Sequence, residues 1–285
     1  MKTLRSLVFA VVAVLAFGGC LQQEKIIKLK ADGSGTIEER MVMGKQMVDQ
    51  MKMMSGGLAG LGLGGAPAAA EPTTPAAPAF QVLDEKKLKA AAAKMGDGVT
   101  FVSATPLTTP AGEGYVATYA FTDISKVKIS GDAGEMMPGG AAGMNMATKG
   151  AKAEPITFGF TKGAPATLTV NLPQQAPADL PKERPAMPAG SEDMMMTMMQ
   201  QMFKDMKIAL SIEVAGQIAQ TNAEHRDGAR VTLMEMDFNK VLANPEKFKA
   251  LTKAQPKSID EMKALVKGVE GIKAEGQPQV TVKFQ

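Results

Sequence analysis

The chain reads as an α+β domain: an antiparallel β-sheet of eight to ten strands with amphipathic, methionine-rich helices packed on one face. Three observations predict it. Apolar residues alternate with small or polar ones over several short runs, the pattern of strands with one face on a core. Turn-rich gaps carrying Gly and Asp join these runs, which favours hairpins over βαβ units. Helical periodicity is confined to a few segments, one of them holding seven methionines in fourteen positions, DMMMTMMQQMFKDM at 193–206.

In chain order, IIKLK and IEERMVM flank the turn ADGSGT at 31–36, a hairpin signature. Gly44–Ser55 places Met47, Val48, Met51 and Met54 on one side of a helix. Asp84 caps EKKLKAAAAKM, where alanine is the best helix former. Val99 and Phe101 begin a strand, and Tyr115, Ala117, Tyr119 and Phe121 form one face of another. Ile156, Phe158 and Phe160 alternate ahead of the turn TKGAP, and Leu168, Val170 and Leu172 follow it. Ile208, Leu210, Ile212 and Val214 open a long run, IALSIEVAGQIAQTN, which HRDG at 225–228 separates from ARVTLMEMDF. Ser258 and Glu261 form a capping box for a late helix, and Val280, Val282 and Phe284 supply the last strand.

Three stretches lack periodicity: 56–80 (Gly/Ala then Pro), 131–155 (Gly/Ala/Met) and 173–190 (Pro-rich). Their composition predicts extended loops within one domain spanning 20–285.

The first nineteen residues have the anatomy of a secretory signal peptide. Lys2 and Arg5 precede an apolar run from Ser6 to Phe17, shorter than the ~20 residues that a spanning helix needs. Gly18 and Gly19 lead into Cys20, the one cysteine in the chain. This resembles the lipobox of bacterial lipoproteins, which implies acylation of Cys20 and a lipid-anchored protein of the cell envelope. Leu21 rather than Asp follows the cysteine, which in a Gram-negative host implies the periplasmic face of the outer membrane. Only LQQE then separates Cys20 from the first expected strand, a tether of at most ~17 Å, so the domain should lie close to its membrane.

Removing Lys2 and Arg5 with the signal peptide leaves 30 basic residues against 29 acidic ones, which excludes the electrostatic footprint of a nucleic-acid binder.

The methionines admit three readings. On a helix, Met195, Met199, Met202 and Met206 form a stripe that Met194, Met196, Met198 and Phe203 widen to about 200°. Such a breadth fits a core helix filled by adaptable side chains. It also fits an apolar face left over for a lipid or a partner protein, with Met195, Met198, Met199, Met202, Phe203 and Met206 as its candidates. The third reading is Cu(I), which thioethers select, with Met136, Met137, Met144, Met146, Met194 and Met198 as ligands.

Nothing points to catalysis or to a cofactor. His225 stands alone in a turn, and no nucleophile is paired with it. Gly33-Ser34-Gly35 is a turn and lacks the strand–turn–helix setting of a nucleophile elbow. Asp32, Ser34, Thr36 and Glu39 offer oxygens to calcium, but the stretch lacks the length and acidity of an EF-hand loop.

Two stretches, EKIIKLKADGSGTIEERMVM and IALSIEVAGQIAQTNAEHRDGARVTLMEMDFNKVL, resemble the LppM-like group of bacterial lipoproteins. The likeness is carried by the strand–DGSG–strand opening and by Gly216, Ile218, Thr221, Asn222, Gly228, Val231 and Leu233 in the later hairpin. It implies a β-rich extracytoplasmic domain with a helix against the sheet, binding lipid-like ligands at the envelope without catalysis. It supplies no catalytic residues.

Changing Met194, Met195, Met198 and Met199 to Leu separates the metal reading from the apolar ones. Leucine keeps the apolar surface and removes the sulfur. Cu(I) titration of that variant is expected to lose its binding signal if these thioethers are ligands, whereas an apolar interaction survives.

Overall fold

The computed structural model describes residues 21–49, 52, 81–130, 154–173, 197, 200, 203–254 and 259–285. Thirteen strands run in chain order: β1 (Leu21–Leu29), β2 (Gly35–Gly44), β3 (Thr100–Thr109), β4 (Gly112–Phe121), β5 (Lys128–Ile129), β6 (Ile156–Thr161), β7 (Ala166–Asn171), β8 (Lys207–Val214), β9 (Ile218–Thr221), β10 (Arg226–Asp227), β11 (Arg230–Asp237), β12 (Ile272–Ala274) and β13 (Gln279–Phe284). The named helices are α1 (Glu85–Lys94), α2 (Phe238–Leu242), α3 (Pro245–Lys253) and α4 (Ile259–Val266). The α+β class holds. Ten strands have four residues or more, matching the expected eight to ten, and β5, β10 and β12 are shorter additions.

The strands form two sheets where the sequence predicted one. The larger has the order β10-β11-β8-β1-β2-β4-β3 with β12 also on β11, and the smaller has the order β5-β6-β7-β13-β9. One pairing, β1 with β8, is parallel, so the larger sheet is mixed. Both sheets feed one hydrophobic core: Ile27, Ile37, Tyr119 and Ile212 from the larger, Phe158, Leu168, Val282 and Phe284 from the smaller. The inward face of the larger sheet thus meets a second sheet as well as helical segments. On its opposite face Ile26, Val42 and Ala209 are also buried.

The second sheet has a local cause. The run IALSIEVAGQIAQTN reads as one strand but breaks at Gly216, whose φ of +116° is open to glycine and strained for other residues. Beyond it, β9 leaves the larger sheet and pairs with β13. Gln217 and Gln285 exchange backbone hydrogen bonds across this break, N–H to carbonyl at 2.8 and 3.1 Å. A side chain at Gly216 would run into the Gln285 carbonyl. Thr221 and Asn222 complete the seam. The Thr221 hydroxyl donates to the Thr281 carbonyl at 2.8 Å, and the Thr281 N–H donates to Asn222 Oδ1 at 2.7 Å.

The DGSG hairpin also does more than turn the chain. Gly33, at φ +89°, lies against the Phe160 ring, where a Cβ would stand 2.8 Å from the nearest ring atom. The Ile124 N–H donates to the Gly33 carbonyl at 2.9 Å, so the turn is tied to the 3₁₀ turn Ile124–Lys126 as well as to β6.

Asp84 caps α1 as expected, accepting from the Lys87 N–H at 3.2 Å. Residues 45–49 are helical, with Val48 buried; Met51 and Met54 lie outside the described residues, as does Ser258 of the expected capping box. Helices α2 and α3 were not expected. Their caps, Asp237 and Asn244, accept from the N–H groups of Lys240 and Lys247, and Pro245 occupies the first turn of α3.

Asp32 and Asp123 form matching turns. Each carboxylate accepts from the hydroxyl and the N–H of the serine two residues on, Ser34 and Ser125. The serine hydroxyl foremost, then the serine N–H, holds each carboxyl below the usual aspartate range, with nearby lysines adding to it. A carboxyl depressed in the folded state stabilises the fold above the unfolded value of about 3.9, and that contribution is lost as pH falls through the folded value. The double variant Asp32→Asn, Asp123→Asn is expected to lose less stability than the parent between pH 5 and pH 2.5. Urea unfolding at the two pH values measures the difference.

Candidate functional site

The register of the larger sheet aligns its inward side chains in rows across the strands. One row is Ile212–Ile27–Ile37–Tyr119–Phe101, apolar but for one hydroxyl. The next is Leu210–Lys25–Glu39–Ala117–Ala104, and the next Ile208–Gln23–Met41–Tyr115–Pro106. Strand alternation alone therefore brings Gln23, Lys25, Glu39, Tyr115 and Tyr119 to one inward face, flanked by core residues on both sides.

These side chains form a compact polar set. Lys25 Nζ lies 3.2 Å from Glu39 Oε2, and the two side chains are only 15% and 9% exposed. The Tyr115 hydroxyl donates to Glu39 Oε1 at 3.0 Å. The small side chains of Ala117 and Ala104 continue the Glu39 row and leave the carboxylate beside the two tyrosines that flank Ala117 along β4. Burial first, and then the Glu39 charge, raises the pKa of both tyrosines far above the ordinary phenol value, so both remain neutral donors. Phe101 packs edge-on to Tyr119, with ring centroids 5.9 Å apart.

Two atoms of the set have no partner among the described residues: the Tyr119 hydroxyl, on a residue that is fully buried, and Gln23 Oε1, on one that is 7% exposed. A buried polar atom without a hydrogen bond costs roughly 1–3 kcal/mol, and nearly all such atoms in folded proteins have partners. Chemically the set is a donor, an acceptor and a matched ion pair within apolar walls. It contains no paired nucleophile and base.

The polar set was legible but unread. Gln23 and Lys25 share the parity of Leu21, Ile27 and Leu29, and Glu39 shares that of Ile37, Met41 and Met43. A polar residue at an inward position of a strand is the signal. The sequence alone places Gln23 in a tether, yet β1 begins at Leu21, itself buried and paired with Met43. Glu39 lies in the sequence near Asp32, Ser34 and Thr36, the other oxygens considered for calcium. The structure does not bring these together: Asp32 and Ser34 sit in the turn, Thr36 points to the outward face and Glu39 to the inward one.

Of the apolar face considered at 193–206, Phe203 and Met206 are described. Met206 is buried in the core, and Phe203 packs against the core and stacks on Phe238 with centroids 4.7 Å apart. The packing follows from Asp205, which at φ +61° ends the helical segment and exchanges hydrogen bonds with Asn239: its N–H donates to Oδ1, and Asn239 Nδ2 returns to its carboxylate, both at 2.9 Å. Residues 197 and 200 are helical, while Met194, Met195, Met198, Met199 and Met202 lie outside the described residues. So do Cys20, Met136, Met137, Met144 and Met146.

His225 is half-buried at a separate cleft of about 280 Å³ whose lining includes Glu224, Ala264, Val266 and Ile272. The buried Glu275 carboxylate fixes that loop, accepting from the Glu224 and His225 N–H groups at 2.9 and 3.0 Å.

No protein-family model and no curated protein matches this chain. Among solved structures, it is similar to the NMR structure of the folded domain of Mycobacterium tuberculosis LppM, at 11% identity over 78% of this chain and 85% of that one, with a TM-score of 0.30. A score of 0.30 is too low to carry a residue's role from one chain to the other.

Removing one member of a buried ion pair leaves the other uncompensated. Lys25→Met is expected to destabilise the protein by about 3 kcal/mol. Adding Glu39→Leu to it should restore much of that loss, because an apolar pair replaces a stranded carboxylate. Chemical denaturation of the two variants and the parent measures both steps.

Proposed function

We propose that this chain is a non-enzymatic lipoprotein of the cell envelope, anchored through an acylated Cys20, which binds a lipid-like ligand on the inward face of its larger sheet. The observation that carries the binding reading is the set of Gln23, Lys25, Glu39, Tyr115 and Tyr119 within an apolar core, with the Tyr119 hydroxyl and Gln23 Oε1 left unpartnered. Apolar walls with a few convergent polar groups are the chemistry of a small-molecule site. An amphiphile meets both halves: its chain lies against the apolar rows and its head meets the polar row.

The anchor reading is supported by the signal-peptide anatomy and by the start of β1. Leu21 is already paired within the sheet, so no spacer separates the domain from Cys20. Two acyl chains hold a protein stably, since each buried CH₂ contributes ~0.8 kcal/mol and a single chain is marginal. A domain so attached lies against the bilayer, within reach of its lipids.

Two measurements test the proposal. Cys20→Ala is expected to abolish incorporation of labelled palmitate; unchanged incorporation would remove the anchor. Native mass spectrometry of residues 21–285, purified without detergent and exposed to lipid extract, is expected to show an adduct of lipid mass. An adduct-free spectrum counts against the ligand reading and leaves a protein partner as the occupant to seek.

A further inference from the structure

The polar set also constrains what head group such a ligand carries; this step rests on the proposed lipid reading. Lys25 and Glu39 already cancel one another, and Tyr115 already donates to Glu39. A second charge brought beside them would be desolvated with no counter-charge, which low-dielectric surroundings penalise heavily. What the set lacks is hydrogen bonding alone: a partner for the Tyr119 hydroxyl and a donor for Gln23 Oε1. A hydroxyl both accepts and donates, so it suits either atom.

The two atoms belong to opposite sides of the ion pair. Gln23 is in the row beyond Lys25 toward the start of β1, and Tyr119 is in the row beyond Glu39 toward the core. Their rows are thus two steps apart on this face, about 13 Å along the strands. No single hydroxyl spans that separation, so each atom offers its own place to a hydroxyl. We infer that the site selects neutral, hydroxyl-bearing amphiphiles over anionic or cationic ones, with Tyr119 and Gln23 as the residues that set the preference.

Monoolein, oleate and oleylamine test this, since their tails are alike and their heads are a diol, a carboxylate and an ammonium. The full chain in phosphatidylcholine nanodiscs is incubated with equal amounts of the three and re-isolated, and the amphiphile retained above empty nanodiscs is measured by mass spectrometry. Monoolein is expected to exceed the other two by about tenfold. The double variant Tyr119→Phe, Gln23→Met should reduce that excess several-fold while leaving oleate retention unchanged. Tyr119→Phe should also leave the ligand-free protein no less stable to heat, because it removes a hydroxyl that has no partner there. Equal retention of all three, or an excess that survives both substitutions, overturns the head-group inference and leaves lipid binding standing. Retention of none overturns the lipid reading itself and this inference with it, and buried water then becomes the partner of the two atoms.

Discussion

The exchange of backbone hydrogen bonds between Gln217 and Gln285 is the constraint on which the arrangement of the two sheets depends. It comes where β8 of the larger sheet gives way to β9 of the smaller, and where β13 ends. Two residues before Gln217, the Ala215 N–H donates to the Leu29 carbonyl at 2.7 Å, so the crossing is fastened to both sheets. Only glycine permits it at position 216, on two counts: the positive φ and the approach of the Gln285 carbonyl. Closing contacts between residues so far apart in sequence is entropically costly, and it is offset by the core that the two sheets then share. Without that crossing, Val282 and Phe284 would have no larger sheet to face, and the inward rows of β1, β2 and β4 would lose their cover.

Against that shared core, the ion pair on the inward face is an expense rather than a reinforcement. Burying Lys25 and Glu39 forfeits their hydration, and a well-packed apolar pair in their place is often neutral or stabilising. Tyr119 and Gln23 add two unpartnered atoms to the cost. A sheet selected only for stability would continue the Ile27–Ile37 row one step further. Departures from a consistent core pattern tend to fall at functional sites, which is why the polar set, and not the larger count of methionines, is the stronger pointer to function in this chain.

Much of the fold was legible because alternation is a local property. The inward parity of β4, β6, β7, β8 and β13 follows from their sequences alone, as does the Asp84 cap. What escaped is non-local or depends on a single residue. Nothing in IALSIEVAGQIAQTN states that its two halves belong to different sheets, because Gly216 looks like an ordinary strand glycine until the Gln285 carbonyl is beside it. The parallel partnership of β1 with β8 escaped for the same reason, since the residues concerned are far apart in sequence. Helices α2 and α3 escaped although Asp237, Asn244 and Pro245 are proper start signals, because α2 is short and follows β11 without a gap, and only two residues separate α3 from α2. The site was half-legible: its residue types were visible at inward positions, but their convergence required the β1–β2–β4 register.

That register gives β1 two roles in a small space. Leu21, at its start, adjoins the cysteine expected to carry the acyl chains; Gln23 and Lys25 lie two and four residues on; Ile27 and Leu29 then enter the shared core. At about 3.3 Å per residue Gln23 and Lys25 stand only ~7–13 Å along the strand from Leu21. On the proposed reading, a ligand leaving the bilayer meets the polar residues first and the apolar rows behind them. Its head group would then lie nearer the membrane and its chain deeper in the protein. On the same reading, the short distance that would hold the domain to the surface would also set this orientation, because a strand paired on both sides from its second residue cannot swing the site away.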